Sequence, residues 1–147
     1  MNIPVKIKKL YEDAKLPYHG SEEASGYDAF AHIPKKIAIP PHETVKIGTG
    51  LAMQFPKGYR LEIMARSGIA TNEGLRPANC VGLVDSDYRG EIIVPVHNDT
   101  NNIQYISPDE KIAQLVISEI VYWDMIKVDN LEDTDRGKGG FGSTGKK

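Results

Sequence analysis

Cysteine is almost missing from this chain: Cys80 is the only one among 147 residues. One thiol excludes an intramolecular disulfide and any zinc site built from several cysteines. It also fits a reducing compartment. No apolar run is long enough to cross a membrane as a helix. The opening MNIPVKIKKLYED lacks the apolar centre of a secretion signal. An excess of charge of one sign is missing too. There are 18 basic and 20 acidic residues, a net charge of −2. No overall field therefore draws in nucleic acid or an anionic membrane, and any bound anion must be held by local groups. His19, His32, His42 and His97 show no ligand spacing. The histidine and paired cysteines of a zinc deaminase are absent, as is a GxSxG nucleophile elbow. The expectation is a cytoplasmic protein with no nucleic-acid or membrane partner. Asn98-Asp99-Thr100 matches a glycosylation acceptor pattern, which without secretion is read as chance.

What is present belongs to a folded domain. The composition is 40% hydrophobic and 26% charged, near the globular average, and the length suits one domain. Val5 and Ile7, Ile37 and Ile39, Leu61 and Ile63, and Ile92, Val94 and Val96 alternate with other residues. Ile112 to Val121 is rich in β-branched side chains. A period of two broken by turn residues predicts many short strands. Pro40-Pro41-His42-Glu43, Pro56-Lys57-Gly58 and Ser107-Pro108-Asp109-Glu110 read as turns. Pro95 within a strand-like run predicts an edge or a bulge. Short helices are expected only around Ile69 to Glu73 and at Ser21 to Ala24. The fold class is all-β, a sandwich or barrel of the jelly-roll kind. Composition shifts only after about Asp133, which divides residues 1–133 from a tail, 134–147.

Several stretches carry groups suited to chemistry. In ARSGIA, Arg66 offers a planar fork for phosphate oxygens, Ser67 a hydroxyl and Gly68 close backbone approach. A serine-capped turn explains the same residues. GLVDSDYRGE, from Gly82 to Glu91, lies between two strand-like runs and reads as a β-hairpin. Asp85 follows the apolar Leu83-Val84, where a carboxylate can take a proton from water. Tyr88 offers a flat surface for a sugar or base. In DEKIAQLV, Gln114 lies among apolar residues and by itself reads as the solvent-side member of a strand. In SGYDAFAH, Asp28 suits a magnesium ion's water shell, and a strand-edge acid after a glycine turn explains the same residue.

The tail RGKGGFGSTGKK holds five glycines between Arg136 and Gly145. Such a segment is expected to be flexible, because ordering it carries a high entropy cost. Gly140 to Lys146 nearly spells a P-loop, yet a P-loop opens a helix and Lys147 ends the sequence. Arg136, Phe141, Ser143 and Thr144 supply a cation, a ring and two hydroxyls, which suits a lid closing on a phosphorylated ligand.

Taken in order, SGYD, ARSG, GLVDSDYRGE, DEKIAQL and RGKGGFGSTG resemble the five motifs of the trimeric dUTPase family, across about Gly26 to Gly145. The resemblance implies a jelly-roll-like homotrimer whose interfacial sites hydrolyse dUTP to dUMP and pyrophosphate with Mg²⁺. That reaction keeps uracil out of DNA and supplies dUMP for thymidylate synthesis. It implies Asp85 as the carboxylate that activates water against the α-phosphorus. It places Tyr88 under the deoxyribose, excluding a 2′-hydroxyl. The backbone from about Asn79 to Val84, Gly82 included, would read uracil with help from Asn79. Arg66, Ser67, Gly68 and Gln114 would hold phosphates, and Asp28 the waters of the magnesium. The tail would serve a neighbouring subunit's site. There Phe141 would stack on uracil, and Arg136, Gly142, Ser143 and Thr144 would close on the substrate and its γ-phosphate. Ser25, Ala29 and Lys111 stand where the family more often has alanine, leucine and arginine. Three rivals are a dCTP deaminase on the same fold, a non-catalytic dUTP sensor and a structural jelly-roll subunit, the last of which predicts no ordered set of phosphate and base groups. The first typically has Arg-Ser-Ser in place of Arg66-Ser67-Gly68 and lacks this hairpin and tail.

Overall fold

Alternating runs become strands along most of the computed structural model, which describes residues 2–145. In chain order these are β1 (Lys6–Lys9), β2 (Tyr18–His19), β3 (Tyr27–Phe30), β4 (Ile37–Ile39), β5 (Thr44–Gln54) and β6 (Tyr59–Met64). The one helix among the described residues, α1 (Ser67–Asn72), follows. Then come β7 (Leu75–Pro77), β8 (Gly82–Val84), β9 (Glu91–Asn98), β10 (Gln104–Ile106) and β11 (Lys111–Glu119). One sheet runs β1-β5-β9-β7 and a second β2-β3-β11-β6-β8, while β4 and β10 form a two-stranded ribbon. All the pairings are antiparallel. The core is drawn from all three: Ile47, Ile92, Val94 and Val96 from the first sheet, Leu61, Ile63, Ile112 and Leu115 from the second, Ile39 and Ile106 from the ribbon. This is the expected all-β, jelly-roll-like sandwich.

Local chemistry explains the departures from simple alternation. Along β9, Ile92, Val94, Val96 and Asn98 point inward in turn. Adjacent Ile112 and Ala113 of β11 are both buried because a bulge lies between Lys111 and Ala113 opposite β3. Between Gly48 and Ala52, β5 shifts register against β9, and the Gly50 amide donates instead to Glu91 Oε1 at 2.8 Å. Gly50 has φ +68°, and a Cβ there would lie 2.8 Å from that of Ala14, so the crossing is open only to glycine. Asn98 is fully buried. Its Nδ2 donates to the carbonyls of Ile39, Pro40 and Asn102, and its Oδ1 accepts from the Thr100 amide and hydroxyl. A side chain so enclosed is no glycosylation acceptor.

Four expectations are corrected. Ser21–Ala24 is a turn closed by the Ala24 amide on the Ser21 carbonyl, not a helix. Residues 82–91 do not form a paired hairpin. β8 pairs with β6 and β9 with β5 and β7, so this segment carries the chain from one sheet to the other. Pro95 lies in an interior strand and at no bulge. Its carbonyl accepts from the Ala78 amide just past the end of β7, so its lack of an N–H falls where the ladder is already ending. The start of α1 is Arg66, with no side-chain cap, so Ser67 is its first residue and not its cap.

Candidate active site

The segment between β8 and β9 is a tight turn, with the Tyr88 amide donating to the Asp85 carbonyl at 3.1 Å. Arg89 fastens it from outside, its Nη1 donating to the Ser86 and Tyr88 carbonyls at 2.8 and 2.9 Å. Asp85 stands at the end of β8, exposed, where two cavities meet. One, of about 680 Å³, is lined by Phe55, Lys57, Asp87, Arg89 and Tyr122 besides Asp85. The other, of about 200 Å³, is lined by Asn79, Gly82, Leu83, Val84, Asp85 and Tyr88. The structure thus brings Asp85, Tyr88, Asn79, Gly82 and Val84 together around one small recess.

Glycine shapes this recess at two points. Gly82 is buried against Ile63, and a Cβ there would lie 3.2 Å from Asn79 Nδ2, so the amide of Asn79 packs directly over it. The Tyr88 ring lies over Gly90, where a Cβ would sit 2.5 Å from Cζ and 3.0 Å from Cε2. The Tyr88 hydroxyl donates to the Glu91 carbonyl at 3.1 Å, so the ring is anchored at its hydroxyl end.

A third cavity, of about 340 Å³, gathers Asp28, Arg66, Ser67, Gly68 and Gln114 with Ser25 and Gly26. Asp28 on β3 pairs across to Gln114 on β11, which pairs in turn with Met64 at the end of β6. Three strands therefore set these side chains. Arg66 Nε donates to Asp28 Oδ1 at 2.9 Å and its Nη1 to the Lys111 carbonyl at 3.2 Å. Lys111 Nζ stands 3.0 Å from Asp28 Oδ2 and 4.2 Å from the centre of the Tyr18 ring. Gln114 Nε2 donates to the Ala65 carbonyl at 3.4 Å, and Gly26 packs tightly on β11 beside it. Gln114 is thus a half-buried member of this cavity and not simply the solvent side of a strand. A Cβ at Gly68 would meet nothing within 4 Å, so packing within the chain makes no demand for glycine there. The first amides of α1 have no partner within the helix. The cavity offers a guanidinium, a hydroxyl, an amide and backbone N–H groups, a donor set for an anion.

Sequence reasoning passed over Arg76, Arg89 and any pairing of Lys111 with Asp28. Arg76 binds Asp99 through two hydrogen bonds of 2.6 and 3.0 Å. That contact holds the Asp99 carboxyl below the ordinary carboxylate range. Arg76 is 23 residues from its carboxylate, so only the fold reveals the pair.

The tail is a run of turns, with amides of Gly137, Gly139, Ser143 and Gly145 donating to carbonyls three residues back and Arg136 Nε to the Gly139 carbonyl. Among the described residues, its hydrogen bonds stay within the tail. Arg136, Phe141, Gly142, Ser143 and Thr144 line none of the three cavities, and Phe141 is fully exposed with φ +50°. Lys146, the last residue of the P-loop-like string, lies outside the described residues. Just before the tail, the apolar Val121, Trp123, Met125, Ile126 and Leu131 are each at least 80% exposed.

A family model described as dUTPase matches residues 12–145. A protein of Nautilia profundicola named deoxyuridine 5′-triphosphate nucleotidohydrolase is 46% identical over 97% of this chain and 99% of its own. One of the same name from Hydrogenobaculum is 41% identical over 96% and 97%. Among solved structures, the Staphylococcus bacteriophage 80alpha dUTPase with dUpNHpp superposes with a TM-score of 0.85. It is 26% identical and covers 97% of this chain and 98% of that one.

Proposed function

The chain belongs to the dUTPase family and hydrolyses dUTP to dUMP and pyrophosphate, and we propose that its own Asp85 is the base of that reaction. The observation that carries this reading is the position of Asp85, shared by the recess of Asn79, Gly82 and Tyr88 and by the larger cavity beside it. Uracil occupies the recess, against the backbone of residues 79–84 and the Asn79 amide. The deoxyribose rests on Tyr88, whose fixed ring leaves no room for a 2′-hydroxyl. The α-phosphorus then lies within reach of a water held by Asp85. The carboxylate takes one proton from that water as its oxygen bonds to the α-phosphorus. The bond from the α-phosphorus to the bridging oxygen breaks, and pyrophosphate leaves. Water supplies the new oxygen on dUMP, so the atoms balance.

The phosphates are held by Arg66, Ser67, Gly68 and Gln114 in the third cavity. Among the described residues no three His, Cys, Asp or Glu side chains cluster into a metal cage. That fits Mg²⁺, which keeps its waters and is bound chiefly through phosphates with one or two carboxylates. Asp28 is the acid for those waters, since each of its oxygens keeps a lone pair beyond its ion pair with Arg66 or Lys111. When bound, Mg²⁺ neutralises charge on the triphosphate.

The chain acts as a homotrimer with dUTP as its partner molecule and no nucleic acid or membrane. The exposed apolar segment around Trp123 supports assembly, because an apolar stretch of this size seeks cover. Residues 134–147 form the lid of a neighbouring subunit's site, with Phe141 on uracil and Arg136, Gly142, Ser143 and Thr144 at the substrate and its γ-phosphate. Location in the cytoplasm agrees with the single free cysteine.

Incubation with Mg²⁺ and, separately, dUTP, UTP, dTTP and dCTP tests the reading. Only dUTP is expected to give its monophosphate and pyrophosphate. Deamination of dCTP, or equal turnover of UTP, would overturn the assignment of the recess.

A further inference from the structure

The base recess has one wall made by a short, strained turn, and the strain needs a restraint. Between β7 and β8 the Cys80 amide donates to the Pro77 carbonyl at 3.0 Å and the Val81 amide to the Asn79 carbonyl at 2.7 Å. Cys80 has φ +63°, a left-handed conformation that a non-glycine residue holds only when its surroundings enforce it. The surroundings here are Arg76. Its Nη1 donates to the Pro77 carbonyl at 3.2 Å and the Ala78 carbonyl at 3.4 Å, and lies 3.6 Å from Cys80 Sγ. Its Nε and Nη2 are taken by Asp99. Asp99 is fixed in turn, since its amide donates to the Gly74 carbonyl and His97 Nε2 stands 3.4 Å from its Oδ1.

We infer that Arg76, clamped by Asp99, is the positioning residue that sets the uracil-reading turn and thereby the choice of base. The inference rests on the proposed seating of uracil in the recess. Two arms of the guanidinium fork are spent on the carboxylate, and the third gathers the turn that carries Asn79 and leads into Gly82–Val84. No atom of Arg76 lines the recess; its influence passes through the place of Asn79 and the backbone after it. A planar fork does this and a lysine does not, because one ammonium cannot hold the carboxylate and the turn together.

The test compares Arg76→Gln and Arg76→Lys with the unaltered protein, using dUTP and dTTP with Mg²⁺ and recording Tm alongside. For both variants KM for dUTP is expected to rise about five- to tenfold, the effect of losing a small set of positioning hydrogen bonds. The turnover number should change much less, and the kcat/KM preference for dUTP over dTTP should fall by a similar factor. The lysine variant keeps the charge facing Asp99, so it decides the matter if the glutamine variant does not fold. A lowered Tm with KM and base preference within about twofold of the parent would show a strand staple only and overturn the inference. So would full recovery of KM in the lysine variant. If the unaltered protein itself fails to hydrolyse dUTP, the functional reading falls first, and this inference with it.

Discussion

Asp85, the proposed base, owes its place to the end of β8, at the rim shared by two cavities. Asp85→Asn keeps the shape and removes the proton acceptor. Its kcat for dUTP is expected to fall by about a thousandfold, in the range general bases contribute, with KM changed only a few fold. Steady-state kinetics on the folded variant check this. Gly90 carries a second prediction. Gly90→Ala places a methyl group against Tyr88 and moves its ring from the proposed sugar position. Discrimination against UTP should drop by about tenfold or more, while base selectivity among deoxynucleotides stays; parallel assays with UTP, dUTP and dTTP read the difference. At this scale the sequence exposes the short strings that hold the groups, such as ARSG and DSDY, because each keeps its residues adjacent. It hides what those groups lean on. Asp28 meets Arg66 across 38 residues and Lys111 still further along the chain, and no local spacing encodes either contact.

The elements show where pattern reading works and where it stops. β9 is plain in the sequence, since its inward residues alternate, and β6 and β11 are marked by their apolar residues, although Glu62 and Ala113 are buried beside them out of step with a period of two. The longest strand, β5, is not. Gly48 and Gly50 interrupt it, and the buried run from Thr49 to Met53 breaks the period as the chain shifts register. The segment from β8 to β9 reads as a hairpin because two apolar runs flank a turn. Which sheet each run joins is a long-range choice that neither run records. Asn98 is the clearest tertiary commitment. It ties the end of β9 to β4 and to the loop before β10 with five hydrogen bonds. Asn98→Ala leaves buried carbonyls unpaired and should destabilise the protein by about 3 kcal/mol. Chemical denaturation of variant and parent at equal protein concentration measures it, and the recess should keep its base selectivity at temperatures where the variant is folded.

At the scale of the whole molecule, one chain's described residues hold the recess and the cavity of Arg66 and Gln114 but bring no tail residue to either. In the proposed trimer, the lid and the apolar stretch around Trp123 find their partners on other copies. The tail's glycines and hydroxyls read in the sequence as the proposed phosphate grip, whereas the site it would serve depends on an assembly that no single chain displays. The most direct test of the central claim, an Asp85-centred site completed by a neighbour's tail, is complementation. Asp85→Asn is co-expressed with a chain ending at Asp133, and dUTP hydrolysis is measured for each protein alone and for the mixed assembly. Each alone is expected to be nearly inactive. Random assortment in mixed trimers should restore activity to about a quarter of the parent's, because half the intact Asp85 sites then receive an intact tail. A mixed assembly no more active than its separate components would contradict a site shared between subunits.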